Sequence, residues 1–126
     1  MNMDQAIREE FKVFTAGLAD NKGYMMEMAE AKPKIEAGEN NLFVIDIRSE
    51  ASYKAGHIPG SASFYLPTLV DRLEHIPQNR PIFVVCKLDA MSAYATMILR
   101  LVGYPATLVA GGVPAWADAG GALDSD

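Results

Sequence analysis

The chain has 126 residues, half of them hydrophobic, and a mean hydropathy of +0.05, which together support one compact α/β or α+β domain. Eleven basic against sixteen acidic side chains give a net charge of −5, and because no Lys/Arg cluster offsets it, we exclude nucleic acid as a partner. No apolar run has the length of a membrane span, and no basic segment followed by an apolar core marks a signal peptide, so we expect a cytoplasmic protein with no membrane contact. The single cysteine excludes an internal disulfide and is consistent with that compartment.

The N-terminal segment has the spacing of an amphipathic helix. Within residues 4–19, the side chains of Ile7, Phe11, Phe14 and Leu18 recur four, three and four positions apart and form one apolar stripe. Such a stripe either docks on its own domain or pairs with the same helix of a second chain, and we predict the homodimer, with docking in the monomer as the alternative. We divide the chain into an N-terminal helix extension at residues 1–22, a main domain at 23–120 and a flexible, glycine-rich tail at 121–126.

Helical and strand patterns alternate through the main domain. The sequence predicts helices at residues 28–36, 67–75 and 91–102, and strands at 42–47, 82–85 and 106–109. Gly38 suits the C-terminal cap of the first helix, although Pro33 lies inside it. The last helix is apolar except for a stripe of Ser92, Thr96 and Arg100, so it must pack on a sheet. The alternation, without two-residue hairpin signals, predicts right-handed βαβ units and a largely parallel sheet.

The one cysteine, Cys86, stands where a predicted strand ends and a helical pattern begins. In parallel sheets, ligands bind beyond the carboxyl ends of the strands, which is where this thiol lies. The first N–H groups of a helix have no carbonyl partner within it, and they favour a thiolate, a persulfide or a bound oxyanion. The other interpretation of Cys86 is a small core residue.

Several segments, in their order along the chain, resemble the rhodanese-like sulfurtransferases. They are FVIDIR at residues 43–48, YKAGHIPGS at 53–61, FVVC at 83–86 with the loop that follows, and Gly103-Tyr104 with GGVPAW at 111–116. The resemblance implies an α/β fold, a five-stranded parallel sheet flanked by helices, to which this chain adds its N-terminal helix. It also implies that Cys86 is the catalytic sulfur carrier.

The reaction that the resemblance implies is a double displacement without a cofactor. Cys86 takes sulfane sulfur from a small donor, thiosulfate or polysulfide, and passes it through a persulfide to a thiol, cyanide or sulfide acceptor. The predicted substrate-binding residues are Lys87, Leu88, Asp89, Ala90, Met91 and Ser92, together with Arg48. The loop is partly similar to that of the polysulfide-sulfur transferases. Phosphatases of this fold have an arginine where this chain has Ser92, so we do not expect phosphatase activity.

Two loop residues depart from the pattern of active members, which commonly have glycine three positions after the cysteine and arginine or threonine five positions after it. This chain has Asp89, whose negative charge opposes a thiolate, and Met91, which suggests a less polar or longer donor. Both departures support the alternative function, a catalytically inactive rhodanese-like module that binds or regulates a partner.

Other residues near the predicted sheet edge have structural as well as functional interpretations. Arg48 either contacts substrate or, together with Asp46, ties the end of a strand to neighbouring loops. His57 is expected to fix its own loop, and because two histidines and one cysteine lack ligand spacing we expect no metal site. Gly111 and Gly112 are expected to allow a tight backbone turn near the cysteine.

Overall fold

The computed structural model of the chain describes residues 4–20, 24–87 and 89–126. The α-helices in these ranges are α1 (Gln5–Asp20), α2 (Met28–Ala37), α3 (Glu50–Ala55), α4 (Asp89–Leu101) and α5 (Gly112–Asp118). The strands in the same ranges are β1 (Met25–Met26), β2 (Phe43–Asp46), β3 (Ala62–Ser63), β4 (Ile82–Val85) and β5 (Ala106–Val109). Short 3₁₀ helices cover Glu39–Asn41, Leu66–Thr68 and Val70–His75.

The strands form one sheet in the order β1-β5-β4-β2-β3, and every neighbouring pair is parallel. Strand β4 is central: it pairs with β2, with Asp46 opposite Val85, and with β5 on its other side. The predicted strands and the five-stranded parallel sheet are therefore confirmed. Because Cys86 directly follows β4, it lies at the middle of the sheet's carboxyl edge.

The sheet is covered on both faces, which explains why its strands are apolar without alternation. On one face, Val84 and Cys86 belong to the same buried cluster as Leu99 of α4. On the other face, Val85 packs in a second buried cluster with Trp116 of α5 and with residues of α2. The side chain of Cys86 thus belongs to the face that α4 covers.

The helices predicted at residues 4–19, 28–36 and 91–102 are confirmed as α1, α2 and α4. Helix α2 contains Pro33 and ends at Gly38, whose φ is +62° and whose N–H donates to the Ile35 carbonyl at 3.1 Å. In α4 the polar stripe faces inward, since Ser92 and Thr96 are fully buried. No helix among the described residues is long and apolar enough to cross a membrane.

The helix predicted at residues 67–75 is present, but it consists of two 3₁₀ helices, Leu66–Thr68 and Val70–His75, and not of one continuous helix. Its hydrogen bonds span three residues, as in the 3.0 Å bond from the Arg72 N–H to the Leu69 carbonyl. Arg72 leaves helical geometry at φ −120°, where its guanidinium donates to the Ser63 carbonyl and lies 4.3 Å from the centre of the Phe64 ring. The apolar spacing that predicted a helix also suits 3₁₀ turns, and the contact of Arg72 with strand β3 favours them.

The C-terminal segment, predicted as a flexible tail at residues 121–126, makes hydrogen bonds to other parts of the chain. The Trp116 indole N–H donates to the Ala122 carbonyl at 2.8 Å. Asp124 pairs with His57 in an antiparallel bridge through two 2.9 Å hydrogen bonds. The Asp126 N–H then donates to the Lys54 carbonyl at 3.0 Å. The glycine-rich composition suggested flexibility, but the backbone groups of His57 and Lys54 supply hydrogen-bond partners for this segment.

Helix α1 packs against α4 within the chain. The Glu10 carboxylate accepts a 2.7 Å hydrogen bond from Nε of Arg100, and both side chains are about one-fifth exposed. Of the predicted apolar stripe, Ile7 is 37% exposed, and the side chains of Phe14 and Leu18 lie outside what the structure describes. The alternative of docking within the monomer therefore has a contact to support it, and the homodimer stays a prediction that light scattering tests.

Candidate active site

Cys86 lies between strand β4 and helix α4, and two residues separate it from the first residue of that helix, Asp89. Its side chain is 1% exposed and packs in the cluster that includes Val84 and Phe64. The N–H groups in the first turn of α4 have no acceptor within the helix, so they are available to an anion held at this end of it. The arrangement combines a shielded sulfur with nearby N–H donors.

The turn at the start of α5, formed by Gly111, Gly112 and Val113, presses directly on the backbone of Cys86. Gly112 has a φ of +52°, and a Cβ atom added there would lie 1.6 Å from the Cys86 carbonyl oxygen. The next residue, Val113, donates its N–H to that same oxygen at 2.9 Å. Gly111, with φ +80°, completes a turn that requires glycine. The predicted tight turn near the cysteine is confirmed, and the structure adds the reason for it, which is the close approach to Cys86.

Asp89 has a contact that sequence reasoning missed. Its Oδ1 accepts a 2.9 Å hydrogen bond from the backbone N–H of Gly111, which is 22 residues further along the chain. The hydroxyl of Ser92 donates to the Asp89 carbonyl at 3.1 Å, which helps to form the first turn of α4. No local pattern signals the contact with Gly111, because it depends on how β5 places the turn beside the loop.

The predicted substrate-binding residues of the loop divide into two groups. Lys87, Asp89 and Ala90 are exposed. Met91 is partly buried against the cluster that contains Cys86, and Ser92 is fully buried. Leu88 lies outside the described residues. Residues of the first group can meet a substrate directly, whereas Met91 and Ser92 face the protein interior.

Arg48 is held by the protein itself. Its Nε donates to Asp46 Oδ1 at 3.0 Å, and its Nη2 donates to Asp46 Oδ2 at 2.8 Å and to the Gly56 carbonyl at 2.7 Å. The Asp46 side chain is completely buried, so the guanidinium compensates a charge that has no access to water. These contacts favour the structural interpretation of Arg48, and its direct role with substrate stays a prediction.

His57 also has a structural role. Its Nδ1 lies 2.7 Å from the Tyr53 carbonyl oxygen, and its ring stacks on the Tyr53 ring with centroids 3.8 Å apart. Burial raises the pKa of the Tyr53 hydroxyl above its ordinary value, and the nearby carboxylates of Asp126, Asp46 and Asp124 also raise it. The neutral hydroxyl donates to the Ser61 carbonyl. Among the described residues, no group of three or more His, Cys, Asp or Glu is placed to hold a metal ion.

An open groove of about 400 Å³ borders the loop. Its lining includes Arg48, Lys87, Val113, Pro114 and Leu123. Lys87 directly follows Cys86 in the chain, and the Val113 N–H donates a hydrogen bond to the Cys86 carbonyl. Because both residues line this groove, it lies next to the backbone of Cys86. A larger groove of about 490 Å³ lies beside strand β3, but its lining includes no predicted site residue.

Comparison with known proteins gives matches in sequence and in structure. An HTH-type transcriptional regulator, Rv0324 of Mycobacterium tuberculosis, is 34% identical over 98 residues, which are 76% of this chain and 42% of the regulator. A sulfurtransferase of Allochromatium vinosum is 31% identical over 82 residues, which are 64% of this chain and 77% of that protein. This chain thus spans less than half the length of the regulator.

The fold has a counterpart in the crystal structure of a rhodanese-related protein from Thermoplasma volcanium. The two structures have a TM-score of 0.74 at 21% sequence identity, over 82% of this chain and 100% of the other. A family model described as the rhodanese-like domain matches residues 27–119, which include strands β2 to β5, Cys86 and the turn that presses on it. This match over most of the chain shows that the protein belongs to the rhodanese-like family.

Proposed function

We propose that this protein is a sulfurtransferase that carries sulfane sulfur on Cys86 as a persulfide. The observation that carries the proposal is the position of Cys86 at the end of the central strand, shortly before the N-terminus of a 13-residue helix. N–H groups at such a helix start stabilise a thiolate and, after transfer, an anionic persulfide. The likeness to the sulfurtransferase of Allochromatium vinosum supports the same class of reaction.

The proposed reaction has two displacements at sulfur. The Cys86 thiolate attacks the outer sulfur of thiosulfate, the S–S bond of the donor breaks, and sulfite leaves with the bonding electron pair. Cys86 then holds a persulfide anion. In the second displacement, cyanide attacks the outer sulfur of this persulfide, thiocyanate forms and the Cys86 thiolate is regenerated. Both negative charges on Cys86 are of the kind that the donors at the start of α4 stabilise.

The charges around the loop favour polysulfide over thiosulfate as the donor. Thiosulfate concentrates two negative charges on a compact ion, whereas a polysulfide spreads its charge over a longer, polarisable chain. Of the two predicted cations, Arg48 is paired with Asp46, while Lys87 is exposed. Asp89 adds a negative charge to the same loop. The positive charge of Lys87 is therefore too little to balance the two charges of thiosulfate, and polysulfide is the favoured donor.

A regulatory role without catalysis is the second candidate function. Cys86 is 1% exposed, so a donor reaches its sulfur only if the loop between β4 and α4 moves. The relative in Mycobacterium tuberculosis is a transcriptional regulator, and 42% of its length aligns with this chain. In this alternative, the groove beside Lys87 binds a partner and Cys86 is a core residue.

Intact mass spectrometry tests the proposed function. We expect incubation with polysulfide to add about 32 Da, the mass of one sulfur atom, to the protein, and cyanide to remove it. The variant Cys86→Ala, with the rest of the chain unchanged, should show no such addition. A folded wild-type protein that gains no sulfur from polysulfide or from thiosulfate would reject the sulfurtransferase and favour the regulatory module.

A further inference from the structure

We propose that Asp89 is a positioning residue, whose carboxylate anchors the loop after Cys86 to the turn at the start of α5. The part of this inference that concerns turnover rests on the proposed sulfurtransferase function. The part that concerns the exposure and reactivity of Cys86 does not. The acceptor is a side-chain oxygen, so the anchor depends on the residue at position 89.

The turn holds the loop at both of its ends. At one end, the Val113 N–H donates to the Cys86 carbonyl at 2.9 Å. At the other end, the Gly111 N–H donates to Asp89 Oδ1, also at 2.9 Å. Gly112, between these two donors, has no room for a side chain against the Cys86 backbone. Val113 and Gly111 thus contact Cys86 and Asp89, the residues at the two ends of the connection between β4 and α4.

The first anchor is made by backbone atoms, but the second depends on the side chain at position 89. Glycine or alanine there would leave the Gly111 N–H without this acceptor. Asparagine has the same length as aspartate and keeps a carbonyl oxygen at the position of Oδ1. Asparagine therefore removes the charge of Asp89 and keeps the acceptor, whereas alanine removes both.

Loss of the charge and loss of the acceptor would both speed alkylation of Cys86, but for different reasons, and only the charge would shift the rate profile along the pH axis. The negative charge opposes the Cys86 thiolate, so its removal alone would raise reactivity at a given pH. However, Asp89 is exposed, and water and salt screen its charge at the distance of the thiol. The hydrogen bond is local and directional, and it fixes Asp89 three positions after Cys86, whose side chain is 1% exposed. We infer that the positional effect of Asp89 is larger than its electrostatic effect.

The experiment compares wild type with Asp89→Asn and Asp89→Ala. The control is Asp71→Ala, which removes an exposed acidic side chain from the 3₁₀ helix Val70–His75 and changes the net charge equally. Circular dichroism and urea unfolding establish that each variant is folded. The first readout is the rate at which iodoacetamide alkylates Cys86 between pH 6 and pH 9, which the single cysteine makes unambiguous.

We expect Asp89→Ala to be alkylated about fivefold faster than wild type across the pH range, which corresponds to about 1 kcal/mol for one hydrogen bond. Asp89→Asn should stay within about twofold of wild type, because it keeps the acceptor. Asp71→Ala should match wild type. The second readout is sulfur transfer from polysulfide to cyanide, in which we expect kcat of Asp89→Ala to fall about fivefold and Asp89→Asn to restore it.

If the asparagine and alanine variants react alike, or if both are alkylated at the wild-type rate, the anchor is rejected. A shift of the alkylation profile along the pH axis that is equal in both variants would assign the effect to charge and would also reject it. Absence of sulfur transfer in wild type would remove the proposed function, but the alkylation rates would still decide the role of Asp89.

Discussion

Two loops follow neighbouring strands at the same edge of the sheet, and they are held in different ways. After β2, the completely buried Asp46 binds Arg48, and Arg48 also binds the Gly56 carbonyl. After β4, the anchors of the loop are a backbone hydrogen bond to Cys86 and one exposed carboxylate, that of Asp89. The first loop compensates its charges internally, whereas the second has two exposed charged side chains, those of Lys87 and Asp89. This contrast separates a structural loop from one that can accept a substrate.

Substitution of Gly112 should have the largest effect, because it breaks the support of the second loop. We expect Gly112→Ala to lose more than about 4 kcal/mol of unfolding free energy, or to fail to fold, since its Cβ would overlap the Cys86 carbonyl oxygen. The matched control is Gly120→Ala, at φ +86° with no atom within 4 Å, which should cost about 1 kcal/mol. Urea unfolding measures both variants. Equal stability of the two would show that the contact with Cys86 is not tight.

The salt bridge of the first loop should give the next largest effect. Arg48→Leu leaves the buried Asp46 carboxylate without its partner, and we expect a loss of about 3 kcal/mol in unfolding free energy. Lys54→Leu removes one member of the exposed Lys54–Glu50 pair, and should cost less than about 1 kcal/mol. A small loss in Arg48→Leu would mean that Asp46 finds another partner, and the direct contact of Arg48 with substrate would then be favoured.

The same two loops show how much of the structure the sequence predicts. Strands β2 and β4 were predicted because a parallel sheet buried on both faces requires short runs of apolar residues. The place of Cys86 at the end of β4 followed from the switch to a helical pattern. Helices α3 and α5 have six and seven residues, too few to establish a periodicity, and sequence analysis did not predict them.

The other differences from the sequence-based predictions involve polar groups whose partners lie in another element of the fold. The C-terminal segment is held because Asp124 pairs with His57, and Arg72 favours 3₁₀ geometry because it contacts strand β3. The Asp89–Gly111 contact spans 22 residues. In each case a polar group finds a partner that only the completed sheet brings near. Local patterns therefore predicted the three longer strands and the longer helices, but not the contacts between loops that shape the site.

The smallest effect concerns Lys87, the exposed cation of the second loop. Lys87→Ala removes a positive charge beside Cys86, and we expect KM for thiosulfate to rise about two- to fivefold, the range for one solvent-exposed charge contact. The effect on polysulfide should be smaller, because its charge is spread over a longer chain. Lys87→Arg keeps the charge and should restore the wild-type KM, and Lys12→Ala on α1 controls for net charge.

The salt dependence of the reaction makes the test of Lys87 sharper. Raising the ionic strength should increase KM for thiosulfate in wild type and in Lys87→Arg, and should do so less in Lys87→Ala, because salt screens an attraction that this variant has lost. If KM in Lys87→Ala is as sensitive to salt as in wild type, another cation attracts the donor. Arg48 would be the first candidate, since it lines the same groove. The second loop would then depend on the first for its positive charge, and the division between a structural loop and a substrate-binding loop would no longer hold.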